Sequence, residues 1–167
     1  DNGDLIVLSS MVDVLNHMEP SQFAEYAPIA GTPDFLSIIK TAAFGNYVPE
    51  GYIEACATPG GTGSIRNTIS CYSKPGDKVL TSNWYWSPYR TIATEIGRDI
   101  ATYKMFDEND EFNFKDFEDK INELLDAQGS LVVIFNAPAH NPTGYTPSDE
   151  TWDKIIEIIK RCAKPGK

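Results

Sequence analysis

Cationic side chains are scarce in this 167-residue chain: 14 Lys and Arg stand against 24 Asp and Glu, a formal net charge of −10. That balance repels a phosphate backbone and argues against nucleic-acid binding through a basic face. Histidine is rarer still, at His17 and His140, and the three cysteines, Cys56, Cys71 and Cys162, are widely spaced with no C-x-x-C pair. Neither a zinc site nor a disulfide framework fits that supply, and a reducing, cytoplasmic setting is the expectation. No apolar run approaches the roughly 20 residues of a membrane helix, and no charged segment followed by an apolar one opens the chain. Small molecules or protein are therefore the expected partners. The opening Asp1-Asn2-Gly3-Asp4 does not resemble a natural start, which raises the expectation of a piece of a longer protein.

What is present is an alternation of strand and helix signals. Leu5 to His17 reads as a helix leading to the Glu19-Pro20 break. Thr32 as a cap, Pro33 in the first helical position and Phe35, Ile38, Ile39 and Ala42 at helical spacing predict a helix with one buried face, stopping at Gly45. Ile53 to Thr58 reads as a strand, followed by a helix carrying Ile65, Thr68, Ile69 and Tyr72. Lys78 to Ser82 and Ile100 to Met105 are further strands, with a helix marked by Tyr89, Ile92, Ala93 and Ile96 between them. The acidic turn Asp107 to Glu111 precedes a helix capped by Asn113, its stripe formed by Phe114, Phe117, Ile121, Leu124 and Leu125. Leu131 to Phe135 is apolar without alternation, as a strand covered on both faces must be, and is expected to be central. A last helix carries Trp152, Ile155, Ile156 and Ile159. The order predicts an α/β fold with a mainly parallel sheet and flanking helices.

Ligands of such sheets bind beyond the carboxyl ends of the strands. Three strand ends offer chemistry there. Gly60-Gly61-Thr62-Gly63-Ser64 joins a strand to a helix N-terminus, where backbone N–H groups and the helix dipole suit an anion. An isolated glycine pair more often makes only a tight turn; four small residues and two hydroxyls at the ligand edge tip the balance toward phosphate. A dinucleotide fingerprint fails, because Arg66 stands where its third glycine belongs, and no Gly-Lys-Ser/Thr follows for a Walker loop. Asn83 to Tyr89 holds Trp84, Tyr85 and Trp86, aromatics that stack on a flat ligand or pack over the sheet end; Trp84 and Trp86 alternate, so one of them faces the site. Asn136 to Gly144 carries two prolines that fix the backbone around Asn141, whose neutral amide can bond a ligand oxygen. His140 has no local partner for acid–base work and reads as structural.

Together, Tyr26-Ala27-Pro28-Ile29-Ala30-Gly31, Gly60 to Arg66, the Trp86 loop with Gly97, and His140-Asn141-Pro142-Thr143-Gly144 resemble the large domain of the fold type I pyridoxal-phosphate aminotransferases, in particular the aspartate and aromatic aminotransferase class. The motifs occur in that family's order from about Tyr26 to the final helix. The resemblance implies a partial cofactor-binding large domain, with residues 1–30 as an N-terminal, dimer-contacting segment and 31–167 as β-α units. It also implies that Gly61, Thr62 and Gly63 hold the phosphate of pyridoxal 5'-phosphate, that Trp86 stacks on its ring, and that Asn141 bonds its phenolic oxygen. Tyr26 would reach the phosphate of the neighbouring subunit in a homodimer. Ser87-Pro88 after Trp86 departs from the family's usual residues.

The same resemblance puts the Schiff-base lysine, the carboxylate partner of the ring nitrogen and the substrate-gripping arginine well beyond Gly144. The chain is expected to be a fragment of an enzyme that transfers an amino group from an amino acid to a 2-oxo acid, and to be inactive alone. No catalytic residue and no metal ligand is assigned within it. In the family sheet the strand entering the Gly-rich loop is separated from the others here by later strands, so rearrangement or pairing through exposed edges is expected. A same-fold lyase and an aminotransferase-like sensing domain of a transcription regulator are the alternatives, with a nucleotide-binding α/β domain more distant.

Overall fold

The computed structural model describes Gly3 and residues 5–163. They fall into two compact units, residues 1–57 and 58–167.

The second unit is organised around one strand. β1 (Lys78–Ser82) pairs in parallel with β2 (Asp99–Tyr103), placing Leu80 opposite Ala101. On its other side lies the 131–135 segment, parallel at the Leu80–Val133 bridge. There the Leu80 N–H donates to the Val132 carbonyl and the Ile134 N–H donates to the Leu80 carbonyl, each at 2.9 Å. β1 is thus the central strand, and its Val79 and Leu80 are wholly buried. The expected central position of Leu131 to Phe135 is corrected: that segment is the outer member, half-buried throughout, because no described residue pairs with its far edge.

Alternation along the strands divides the core between two faces. Val79 and Ile100, with Val132 and Ile134, face α4 (Gly60–Tyr72) and α5 (Pro88–Glu95), where Ile69, Tyr89, Ile92 and Ala93 are buried. Leu80 and Tyr103, with Leu131, Val133 and Phe135, face α6 (Phe114–Gln128) and α7 (Asp149–Cys162). Phe117 is the fully buried hub of that second face, edge-on to Tyr103 at 5.0 Å and to Phe112 at 5.7 Å. Burial there pushes the Tyr103 phenol pKa well above its usual value.

Local signals set the helix ends. The Asn113 side-chain oxygen accepts the Asp116 N–H at 3.1 Å, and α6 closes on Gly129 at φ 79°, a left-handed position suited to glycine. Ser148 caps α7 by accepting the Thr151 N–H. The expected stripe of α7 needs correction, since Ile155, Ile158 and Cys162 are buried while Ile156 and Ile159 are each 43% exposed. The helix packs on α6 through its 155–158–162 row, which turns the 156–159 row to the edge.

The first unit contains α1 (Ser9–His17), α2 (Pro20–Ala24) and α3 (Pro33–Phe44). Pro33 opens α3 and Gly45 ends it at φ 55°, as expected. Its apolar face is not buried: Phe35, Ile38 and Ile39 remain exposed, because this unit's described residues include no strand to pack against and none of them is buried. Ile53 to Thr58 forms no strand; its backbone bonds run from the Ala57 N–H to the Ala30 carbonyl and from the Gly60 N–H to the Thr58 carbonyl, with a Lys40–Glu54 ion pair beside it. A strand needs a ladder partner, and none is present among the described residues.

Truncating Phe117 to Ala should cost about 3–5 kcal/mol, against less than about 0.5 kcal/mol for the exposed Tyr72→Ala. Urea unfolding followed by tryptophan fluorescence checks both.

Candidate functional site

The carboxyl end of β1 lies beside that of the 131–135 segment, so the loops that follow them meet. The Asn83 N–H donates to the Tyr103 carbonyl and the Asn83 side-chain oxygen accepts the Met105 N–H, both at 2.8 Å, which ties this end of β1 to β2. Beyond it the two indoles diverge, as the alternation predicts. Trp84 is 54% exposed and lines a cleft of about 520 Å³ with Lys104, Phe106 and Thr143. Trp86 is half-buried on the α4–α5 side and meets the Tyr89 ring edge-on at 5.6 Å.

α4 begins on the glycines. Gly60 sits at φ 65°, and no side chain caps the helix. The Gly63 N–H is used within the helix, donating to the Pro59 carbonyl at 3.2 Å. A Cβ on Gly63 would lie 2.6 Å from Pro59 Cδ, so this glycine is required by packing against the N-cap proline. The second and third positions of a helix have no intrahelical acceptor, which leaves the Gly61 and Thr62 N–H groups for an external anion. Around Gly61 a Cβ would meet nothing within 4 Å, and no acidic residue occupies the first turn. The arrangement fits a phosphate.

In the third loop the Ala137–Pro138 and Asn141–Pro142 bonds are cis. The Asn141 N–H donates to the Asn136 side-chain oxygen at 3.0 Å, and the Asn136 amide nitrogen donates to the Tyr89 hydroxyl at 3.2 Å. Asn141 is exposed, and among the described residues its side-chain amide has no hydrogen-bond partner. That amide is available to a ligand oxygen. Tyr89 and Asn136 escaped the sequence reading as site residues; the phenol at the start of α5, one turn after Trp86, was the available signal.

His140 is 4% exposed, its ring between Thr143 Oγ1 at 2.9 Å and Ser82 Oγ at 3.3 Å. The Ser82 hydroxyl donates its one proton to the Trp84 carbonyl, so it accepts from Nε2–H, and Nδ1 accepts from Thr143. The ring is a neutral, fully bonded link between β1 and the Asn-Pro loop, and burial holds its pKa below the ordinary value. Gly61, Thr62, Gly63, Trp86 and Asn141 therefore belong to one unit. Tyr26 lies in the other, 92% exposed in the turn after α2.

The family described as aminotransferase class I and II matches residues 2–163. Aspartate aminotransferase of Escherichia coli (strain K12) is 28% identical over 164 residues, covering 95% of this chain and 41% of its own length. The crystal structure of an aminotransferase from Anaerococcus prevotii is 42% identical with a TM-score of 0.94, covering 98% of this chain and 40% of that one. An aromatic-amino-acid aminotransferase from Burkholderia pseudomallei, covalently bound to pyridoxal phosphate, shares the fold at 22% identity and a TM-score of 0.72, covering 92% of this chain and 38% of that one. The chain thus spans about 40% of the length of the relatives it matches.

A pKa depressed on folding makes the unfolded state the better proton binder below about 6.5, the ordinary value for histidine. The stability linked to His140 is present above pH 6.5 and lost as pH falls from there through its folded pKa. Unfolding midpoints measured between pH 8 and 5 should show that loss in the wild type, and the His140→Gln variant should lack this component of it.

Proposed function

The chain belongs to the class I and II aminotransferases, and we propose that it forms part of the cofactor-binding domain of an enzyme that moves an amino group from an amino acid to a 2-oxo acid with pyridoxal phosphate. The observation that supports this reading is the presence, within one unit, of an uncapped helix start, a half-buried indole and a free amide. Gly61 and Thr62 hold the phosphate through their N–H groups, with the Thr62 and Ser64 hydroxyls close by and the positive end of α4 behind them. Gly63 keeps that turn tight. Trp86 offers a ring face for stacking, and Asn141 donates to an oxygen in the plane of the stacked ring.

Pyridoxal phosphate, when bound, supplies an electron-accepting ring that stabilises negative charge on the substrate carbon. This chain's share is to bind and orient. His140 moves no proton, because both ring nitrogens are engaged and the ring is held neutral. The proton-moving, cofactor-anchoring lysine and the group that grips the substrate carboxylate belong to the rest of a longer protein, and residues 1–167 alone are inactive. Tyr26, exposed in the first unit, serves the phosphate of a second subunit in a homodimer.

Borohydride reduction of the full-length protein with pyridoxal phosphate, followed by peptide mapping, should label one lysine outside residues 1–167. Labelling of a lysine within them overturns the reading. Thr62→Ala should weaken cofactor binding about tenfold, the loss of one or two bonds to a charged group, measured by fluorescence titration.

A further inference from the structure

Tyr89 has no part in the cofactor reading, yet it touches both loops that do. We propose that Tyr89 is a positioning residue which, with Asn136 as the link, fixes Trp86 and Asn141 as one rigid pair; the proposal rests on the assignment of those two residues to the cofactor. Tyr89 is 4% exposed, one residue into α5 after Pro88, and it is packed with Ile69, Val79 and Ile100. Its ring stands edge-on to Trp86 at 83°, which fixes the indole plane from behind. Its hydroxyl accepts the Asn136 amide N–H, and the other end of that amide accepts the Asn141 backbone N–H.

The direction of this chain of bonds is settled by its far end. A backbone N–H only donates, so the Asn136 oxygen must face Asn141 and its nitrogen must face Tyr89. A reversed amide would set two donors against each other at Asn141. The Asn141 N–H therefore sets the orientation of the Asn136 amide, and the Tyr89 hydroxyl, accepting from its nitrogen, anchors the other end. The loops come from two different strand ends, β1 and 131–135, and a stacking face and an in-plane donor work together only at a fixed mutual position. A buried aromatic that merely filled the core would need no hydroxyl, which gives the test its discriminating variant.

Tyr89→Phe keeps the ring, its packing and its edge-on contact. Hydrogen exchange of the full-length apo-protein should show amides of the 136–145 stretch exchanging roughly three- to tenfold faster in Tyr89→Phe and in Asn136→Ala, with α5 amides unchanged in Tyr89→Phe. Cofactor affinity should fall by a similar factor in both, and should fall no further when either is combined with Asn141→Ala. Wild-type exchange and affinity in Tyr89→Phe would overturn the proposal. If Asn141→Ala weakens binding while Tyr89→Phe alters nothing, Tyr89 is a core residue only and the cofactor reading stands. If Tyr89→Phe speeds exchange but Asn141→Ala leaves affinity untouched, the bracing is real and the cofactor assignment beneath it is overturned.

Discussion

The second unit depends on the double pairing of β1. A strand bonded on both sides has both faces of its side chains committed to cores, and Val79 and Leu80 divide between two such cores one residue apart. A slip of one residue would exchange Val79 for Leu80 on every contact, so the apolar pattern fixes the register. That register in turn sets the carboxyl end of β1 beside that of 131–135. The loop carrying Trp86 and the loop carrying Asn141 meet because their strands do, in the crevice where open parallel sheets bind ligands.

The polar fixings at this edge are neutral. Asn83, Asn136, His140 and Ser82 are donors and acceptors that close on one another or on backbone, and the ion pairs lie elsewhere, as in Arg66–Glu95, Arg90–Asp99 and Arg161–Glu118 on the helix surfaces. Exposed pairs of this kind contribute little, although the two parallel bonds of Arg161 to Glu118 define how α7 lies on α6. Within a chain of net charge −10, the uncapped start of α4 is a local positive pole with no carboxylate in its first turn. The positive character of that turn comes from backbone N–H groups, since Gly60 to Gly63 includes no cationic side chain.

How much of this was legible in the sequence follows from the range of each signal. The bounds of β1, the Asn113 cap, the Pro33 start and the Gly45 stop are set by neighbours within four residues, and they are where the sequence placed them. Leu131 to Phe135 reads the same whether it is a middle or an outer strand, because an apolar run records what a segment should bury and not whether the cover is present. The face of α7 was misjudged by one position, since Ile155, Ile156, Ile158 and Ile159 leave two rows that only docking on α6 separates. The Tyr89–Asn136 bond joins residues 47 apart and leaves no local signature.

Two surfaces point beyond the chain's own core. The outer side of Leu131 to Phe135 is uncharged, carries no proline or glycine, and has a groove beside it lined by Ile121, Leu125 and Ile159. Folded proteins protect such edges with lysine, proline, a bulge or a covering segment, because unpaired N–H and C=O groups invite another strand. In the other unit, α3 presents Phe35, Ile38 and Ile39 as exposed apolar side chains on one helix. A helix stripe and a sheet edge of this kind are stable features only where further polypeptide covers them. The chain spans about 40% of the length of the relatives it matches, and that one shortfall accounts for both the open sheet edge and the exposed helix stripe.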